Sequence, residues 1–130
     1  MPDPEERQMA GSEADRFIDR AIDDGVKKGL AALDDLARLV FVIAEAEGCC
    51  DKDGVDSFID RYGAAGLSHL AAAYLAIGAE LLAASCRAVL KSMPTPDEDA
   101  LDRLNHLVTE RAGYDYDSLR AAVARELEAP

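Results

Sequence analysis

Residues 45–79 read EAEGCCDKDGVDSFIDRYGAAGLSHLAAAYLAIGA, an acidic turn followed by an almost uncharged helical segment. Within residues 55–62, Val55, Phe58 and Ile59 recur at the spacing of one helical face. Residues 67–77 are rich in alanine, and small side chains let neighbouring helices approach closely. We therefore expect a short helix over residues 55–62, a loop containing Gly63 and Gly66, and a central helix over residues 67–77.

The rest of the chain has apolar residues at helical spacing in residues 12–24, 30–47, 79–92 and 96–111 and after residue 115. Gly25, Gly48 and Gly78 are expected to end the helices before them, and Thr95 to cap the helix that Pro96 begins. No segment alternates apolar and polar residues as a strand does. The pattern predicts an all-α fold, a single bundle of about seven helices over residues 12–130, with a flexible acidic tail at residues 1–11.

The chain carries 26 acidic and 14 basic residues, which gives a net charge of −12. Residues 1–60 hold 16 of the acids and 7 of the bases, so most of the negative charge lies in the first half. A surface of this sign repels nucleic-acid phosphates and anionic lipids. We therefore expect no direct nucleic-acid binding, no membrane association, and a partner protein with a basic surface.

The negative charge is densest in residues 45–60, where six acids occur with a single base, Lys52. The candidate partner-binding residues are Glu45, Glu47, Asp51, Asp53, Asp56 and Asp60. Asp56 and Asp60 are four residues apart, and like charges at that spacing destabilise a helix by roughly 0.2–0.5 kcal/mol. One interpretation of these acids is a surface that recognises a cationic partner, and the other is a surface that keeps the protein soluble.

The usual motifs of catalysis and cofactor binding are missing from the sequence. A calcium loop that began at Asp51 would place Val55 and Tyr62 at ligand positions, so it does not fit. The sequence has no glycine-rich phosphate loop and no GxSxG motif. We predict a protein that is not an enzyme and has no cofactor. Two alternatives stay open: a metal-dependent or small-molecule enzyme that uses the carboxylates of residues 51–60, and a homo-oligomeric structural protein that buries part of the alanine-rich region.

Cysteine content and terminal sequence bear on where the protein acts. Cys49, Cys50 and Cys86 are an odd number without regular spacing, which argues against a disulfide framework and favours reduced thiols. The N-terminal residues MPDPEERQ are acidic and polar, unlike a signal peptide. Gly78 and Glu80 interrupt the weakly charged run of residues 67–85, so no membrane span is expected. These features predict a cytoplasmic protein, either a monomer or a homodimer.

Two segments of the opening stretch carry a family resemblance: GVDSFIDRYG at residues 54–63 and AAAYLAIGA at residues 71–79. Over about residues 33–94 the chain resembles the C-terminal domain of the bacterial DNA-mimic protein family, a small, acidic, all-helical group. The chain differs where it has Asp53-Gly54 in place of paired glycines, and Asp60-Arg61 in place of an asparagine. The resemblance implies carboxylates that are spaced like DNA phosphates and occupy the DNA-binding face of a regulator. The predicted function is a non-catalytic protein-binding module for a basic partner, with a DNA-binding regulator as the implied class.

Overall fold

Six α-helices follow one another in the computed structural model, which describes the backbone of residues 4–128 and the side chains of residues 13–128. They are α1 (Pro4–Lys28), α2 (Asp35–Lys52), α3 (Val55–Ala76), α4 (Glu80–Ser92), α5 (Glu98–Thr109) and α6 (Tyr116–Glu128). A short 3-10 turn, Leu30–Ala32, links α1 to α2. Residues 4–128 contain no strand, so the all-α prediction is confirmed. Because α1 begins at Pro4, the helix takes in residues 4–11 of the segment predicted to be a tail, and residues 1–3 lie outside the described residues.

The two helices predicted at residues 55–62 and 67–77 are two helical segments that meet at a kink at Gly63, and they are counted together as α3, so the structure has six helices where about seven were expected. Gly63, with φ 69° and ψ −167°, leaves the helical conformation and produces a kink rather than a loop. Gly66 is buried, and a Cβ at this position would overlap the side chain of Tyr62 one turn earlier. The second helical segment therefore follows the first without an intervening loop, because Gly63 accommodates the kink and Gly66 leaves room for Tyr62.

Gly25 lies inside α1, although the sequence predicted that the first helix would end there. It is buried, and a Cβ at this position would overlap the ring of Phe41 on α2. The missing side chain lets α1 and α2 pack closely, so this glycine provides space rather than a helix end.

The bounds of two further helices differ from the prediction because of their caps. The carboxylate of Asp34 accepts the Ala37 N–H at 2.9 Å, so α2 begins at Asp35 instead of residue 30. It then continues past Gly48 to Lys52. Asp97, and not Thr95, caps α5 by accepting the Ala100 N–H at 3.0 Å.

The core is centred on α3, which packs against α2 on one side and α4 on the other. Leu67, Leu70 and Tyr74 of α3 are fully buried, as are Phe58 near its start and Phe41 on α2. Helix α1 packs against α2 and α6, while α5 packs against α4 and α2. This arrangement brings the end of α2, the start of α3 and the middle of α5 together at one end of the bundle.

Candidate functional site

The six predicted carboxylates lie on the last turns of α2, the short α2–α3 turn and the first turns of α3, and we call this set the acidic edge. The turn is tight because the N–H groups of Asp53 and Gly54 both donate to the carbonyl oxygen of Cys49, each at 2.8 Å. Gly54 has a φ of 108°, which favours glycine. The side-chain oxygen of Asn105 on α5 accepts the Val55 N–H at 2.9 Å, so α5 caps the first turn of α3.

Glu47 and Asp51 of the acidic edge are bound to cations and hydroxyls from the α5–α6 connection. The Arg111 guanidinium donates to both oxygens of Asp51, each at 2.9 Å, and to Glu47 at 3.1 Å. Tyr114 donates its hydroxyl to the same Glu47 oxygen at 2.7 Å. Arg111 adopts a φ of 52°, a rare conformation for a residue with a side chain. These contacts tie the end of α2 to the α5–α6 connection.

The same contacts change the titration of their members. The hydrogen bond from Arg111 lowers the pKa of Asp51 below its ordinary value, because it favours the charged carboxylate. Burial, followed by the hydrogen bond to Glu47, raises the pKa of Tyr114 well above its ordinary value. Tyr114 and Arg111 therefore keep their protons at neutral pH, so both act there as hydrogen-bond donors to the carboxylates of α2.

Glu45 is also occupied within the chain. It accepts the Tyr62 hydroxyl at 2.8 Å and lies 3.3 Å from a nitrogen of Arg61. Burial and this hydrogen bond raise the pKa of Tyr62 to about 12. Three of the six predicted residues, Glu45, Glu47 and Asp51, thus have partners inside the protein.

Asp53, Asp56 and Asp60 form the remaining part of the acidic edge, and we call these three residues the free triad. All three are exposed, and within residues 13–128 none of their carboxylates takes part in a hydrogen bond or ion pair. Together with Ser57 and Arg61 they line a shallow open groove. Asp56 and Asp60 are separated by about 6 Å along the axis of α3, since a helix rises 1.5 Å per residue.

A second row of carboxylates runs along α5. Glu98 and Asp102 precede Asn105 by seven and three residues, so the three side chains share one face of this helix. Both acids are exposed. Asn105 contacts Val55 in the first turn of α3, which also carries Asp56. The end of this row at Asn105 therefore lies beside the first turn of α3.

Cysteines and carboxylates are the side chains that a metal or redox site in this chain would use. Within the described residues, no three histidine, cysteine or acidic side chains come together as a metal ion requires. All three cysteines are free thiols. Burial raises the pKa of Cys50 and of Cys86 to about 12, so both thiols are protonated at neutral pH and are weak nucleophiles. Each helix of the described part is too short or too polar to cross a bilayer.

Three residues that shape this site were missing from the sequence-based prediction, namely Asn105, Arg111 and Tyr114. Arg111 lies 60 residues from Asp51, and Tyr114 lies 67 residues from Glu47. Helical periodicity reports which residues share a face of one helix, and it carries no signal for pairing across such distances. The sequence gives no reason to pair Asp51 with Arg111 in preference to Arg61, which is closer in the chain but binds Glu45.

Comparisons with protein-family models, with curated proteins and with solved structures found no match to this chain. The resemblance to the bacterial DNA-mimic family therefore stays a prediction, and the functional argument depends on the geometry of the acidic edge.

Proposed function

We propose that the chain is a non-catalytic protein-binding module whose free triad binds the cationic face of a basic protein, with DNA-binding proteins as the class of partner. The observation that supports this proposal most is the division of the acidic edge. Arg111 and Arg61 bind Glu45, Glu47 and Asp51, while Asp53, Asp56 and Asp60 stay exposed and have no partner among the side chains of residues 13–128. Carboxylates in this state can form charge-assisted hydrogen bonds with lysine or arginine from another protein.

The density of charge can be compared with that of DNA. One strand carries a phosphate per about 3.4 Å of helix axis, whereas Asp56 and Asp60 are separated by about 6 Å along α3. A single row of acids is therefore about half as dense as one DNA strand. The second row, Glu98 and Asp102 on α5, adds negative charge near the same end of the bundle. Mimicry of DNA requires both rows, so we assign the partner-binding surface to α3 and α5 together.

Long-range attraction should contribute to this association. The net charge of −12 steers a basic protein toward the surface and raises the rate of encounter. Salt screens charges that are farther apart than about 8 Å at physiological ionic strength, so binding should weaken as salt is added. The three free thiols support a reducing, cytoplasmic setting for this function.

Capture from a cell lysate at low salt, followed by mass spectrometry, tests the proposal. The test variant is the triple substitution D53N/D56N/D60N, which removes the free triad without removing a hydrogen bond or ion pair found within the described residues. We expect the unmodified protein to retain a basic DNA-binding protein that duplex DNA displaces. We expect the triple variant to lose it.

A control variant with the same change in net charge separates a site from a general effect. E13Q/D19N/E126Q replaces three exposed acids on α1 and α6, away from the acidic edge. The proposal requires this control to retain the partner while D53N/D56N/D60N releases it. Equal retention by both variants, or equal loss by both, would contradict a specific surface at the free triad.

A further inference from the structure

One face of α3 is apolar and uncovered. Residues 63–79 include no aspartate, glutamate, lysine or arginine. A helix that is apolar on all sides is normally buried on all sides. In α3, however, Ser68 and Ala72 are exposed, and Leu75 keeps 52% of its surface accessible. The exposed polar side chains of this segment are Ser68 and His69.

Helix α4 extends this face. Leu81 is 51% exposed, and Ala84 and Ala88 follow it on the outer side of the helix. The connection between α3 and α4 is only three residues long, so the two helices are antiparallel neighbours. Leu75 and Leu81 thus lie at the turn end of the pair. The α3–α4 face consists of Ser68, Ala72, Leu75, Leu81, Ala84 and Ala88.

The charges at the two ends of this face differ in sign. Glu80 lies at the turn end, while Arg87 and Lys91 lie farther along α4, and all three are exposed. Within the described residues none of the three takes part in an ion pair. A two-fold axis through the middle of the face would place Glu80 of each copy near Arg87 and Lys91 of the other. Such a contact is complementary to itself, as a symmetric dimer requires.

The charge of the face favours a second copy as its occupant. The apolar part is small, since Leu81 and Ala88 are about 11 Å apart along α4 at a rise of 1.5 Å per residue, and such a contact belongs among the weaker complexes, below the roughly 800 Å² that each partner buries in a stable one. Outside the α3–α4 face, two copies of the chain repel one another, because each carries a net charge of −12. A basic partner, in contrast, is attracted to the acidic surfaces and gains nothing from a neutral one.

We propose that the α3–α4 face binds a second copy of the chain in an antiparallel, two-fold symmetric dimer, on a surface separate from the free triad. Ala72 lies near the centre of the contact, and Glu80 pairs with Arg87 at its two ends. Each dimer would then present two copies of the acidic surface, which would increase the avidity for a partner with two cationic sites.

Sedimentation velocity and light scattering, from micromolar to submillimolar concentration, test this proposal. We expect the mass to rise toward twice the 13.9 kDa of the chain. The substitutions A72E and A72R both place a charge at the centre of the contact and should each keep the protein monomeric. Because they differ in sign, a shared effect cannot come from net charge. The control A121E adds the same charge at an exposed position of α6 and should dimerise as the unmodified protein does.

A charge exchange tests the orientation. E80R and R87E should each weaken the dimer, and the double variant E80R/R87E should restore it, since the pairs form again with reversed signs. A protein that stays monomeric at every concentration, or an A72E variant that dimerises normally, would overturn the proposal. The variant D53N/D56N/D60N should dimerise at least as well as the unmodified protein, so the failure of one proposal leaves the other intact.

Discussion

The hydroxyl of Tyr74 gives a sharp test of how the core is built. Tyr74 is fully buried on α3, and within residues 13–128 its hydroxyl makes no hydrogen bond of good geometry, although the Tyr114 hydroxyl lies close to it. Its ring packs at a tilt against that of Tyr114, with 5.6 Å between the ring centroids. Burial raises the pKa of Tyr74 far above its ordinary value, so the group is neutral at all ordinary pH. The substitution Y74F removes the unpaired hydroxyl and keeps the ring.

The expected effect of Y74F is a gain in stability. A buried polar group without a partner costs about 1–3 kcal/mol. Removing the hydroxyl oxygen leaves a void smaller than a methyl group, which should cost less than about 1 kcal/mol. We therefore expect the free energy of unfolding to rise by about 1 kcal/mol, which corresponds to about 3–5 °C in Tm for a domain of this size.

Y114F is the matched control, because it makes the same chemical change on the neighbouring ring. The Tyr114 hydroxyl donates to Glu47 at 2.7 Å, so its removal should lower the free energy of unfolding by about 1–2 kcal/mol. Urea unfolding followed by circular dichroism measures both changes, with an unchanged m-value as the check for two-state behaviour. If Y74F loses as much stability as Y114F, the Tyr74 hydroxyl has a partner and the argument is wrong.

Two further predictions concern α1, α2 and the cation that binds the acidic edge. G25A should lower the free energy of unfolding by about 1–3 kcal/mol, because its Cβ overlaps Phe41, and thermal unfolding measures this. G48A is its control and should raise stability by roughly 0.5–1 kcal/mol, because no atom lies within 4 Å of a Cβ there and alanine is the better helix former. R111A should lower the free energy of unfolding near pH 7, because it removes the hydrogen bonds and ion pairs from Arg111 to Asp51 and Glu47. Because Arg111 lowers the pKa of Asp51 in the folded state, that contribution is present above the unfolded pKa of 3.8 and is lost as pH falls through the folded value. Urea unfolding at a series of pH values should therefore show the two proteins converging in acid, and a constant difference would contradict the assignment.

The all-α fold could be predicted from the sequence because apolar periodicity reports the buried face of each helix directly. Phe58 and Ile59 were predicted to lie on one buried face, and both are buried. Two errors in the helix bounds came from caps, at Asp34 and Asp97, and the others came from glycine. Gly25 and Gly48 were interpreted as helix ends, yet each lies within a helix. A glycine that provides space for a neighbouring helix has the same sequence signature as one that ends a helix, and only the packed partner, here Phe41, distinguishes them.

The sequence predicted the acidic edge as a cluster of six carboxylates. It did not predict which of them are bound by other side chains of the protein. The sequence shows six carboxylates within residues 45–60 and gives no reason to rank one above another as a binding residue. The structure separates them through Arg111, whose position depends on how α5 and its connection pack against α2. Pairing of this kind is set by tertiary structure, so local pattern cannot anticipate which acids are neutralised.

Asp60 is the residue that best separates partner binding from solubility. Asp56 lies in the first turn of α3, where the helix dipole favours a negative charge by about 0.3–1 kcal/mol and offsets its repulsion from Asp60. Asp60 lies beyond the first turn, so it gains little from the dipole and repels Asp56 by roughly 0.2–0.5 kcal/mol. We expect D60N to leave Tm unchanged or slightly raised and yet to weaken capture of the basic partner. If D60N raises Tm and retains the partner as well as the unmodified protein does, the acid at position 60 serves only to keep the surface charged.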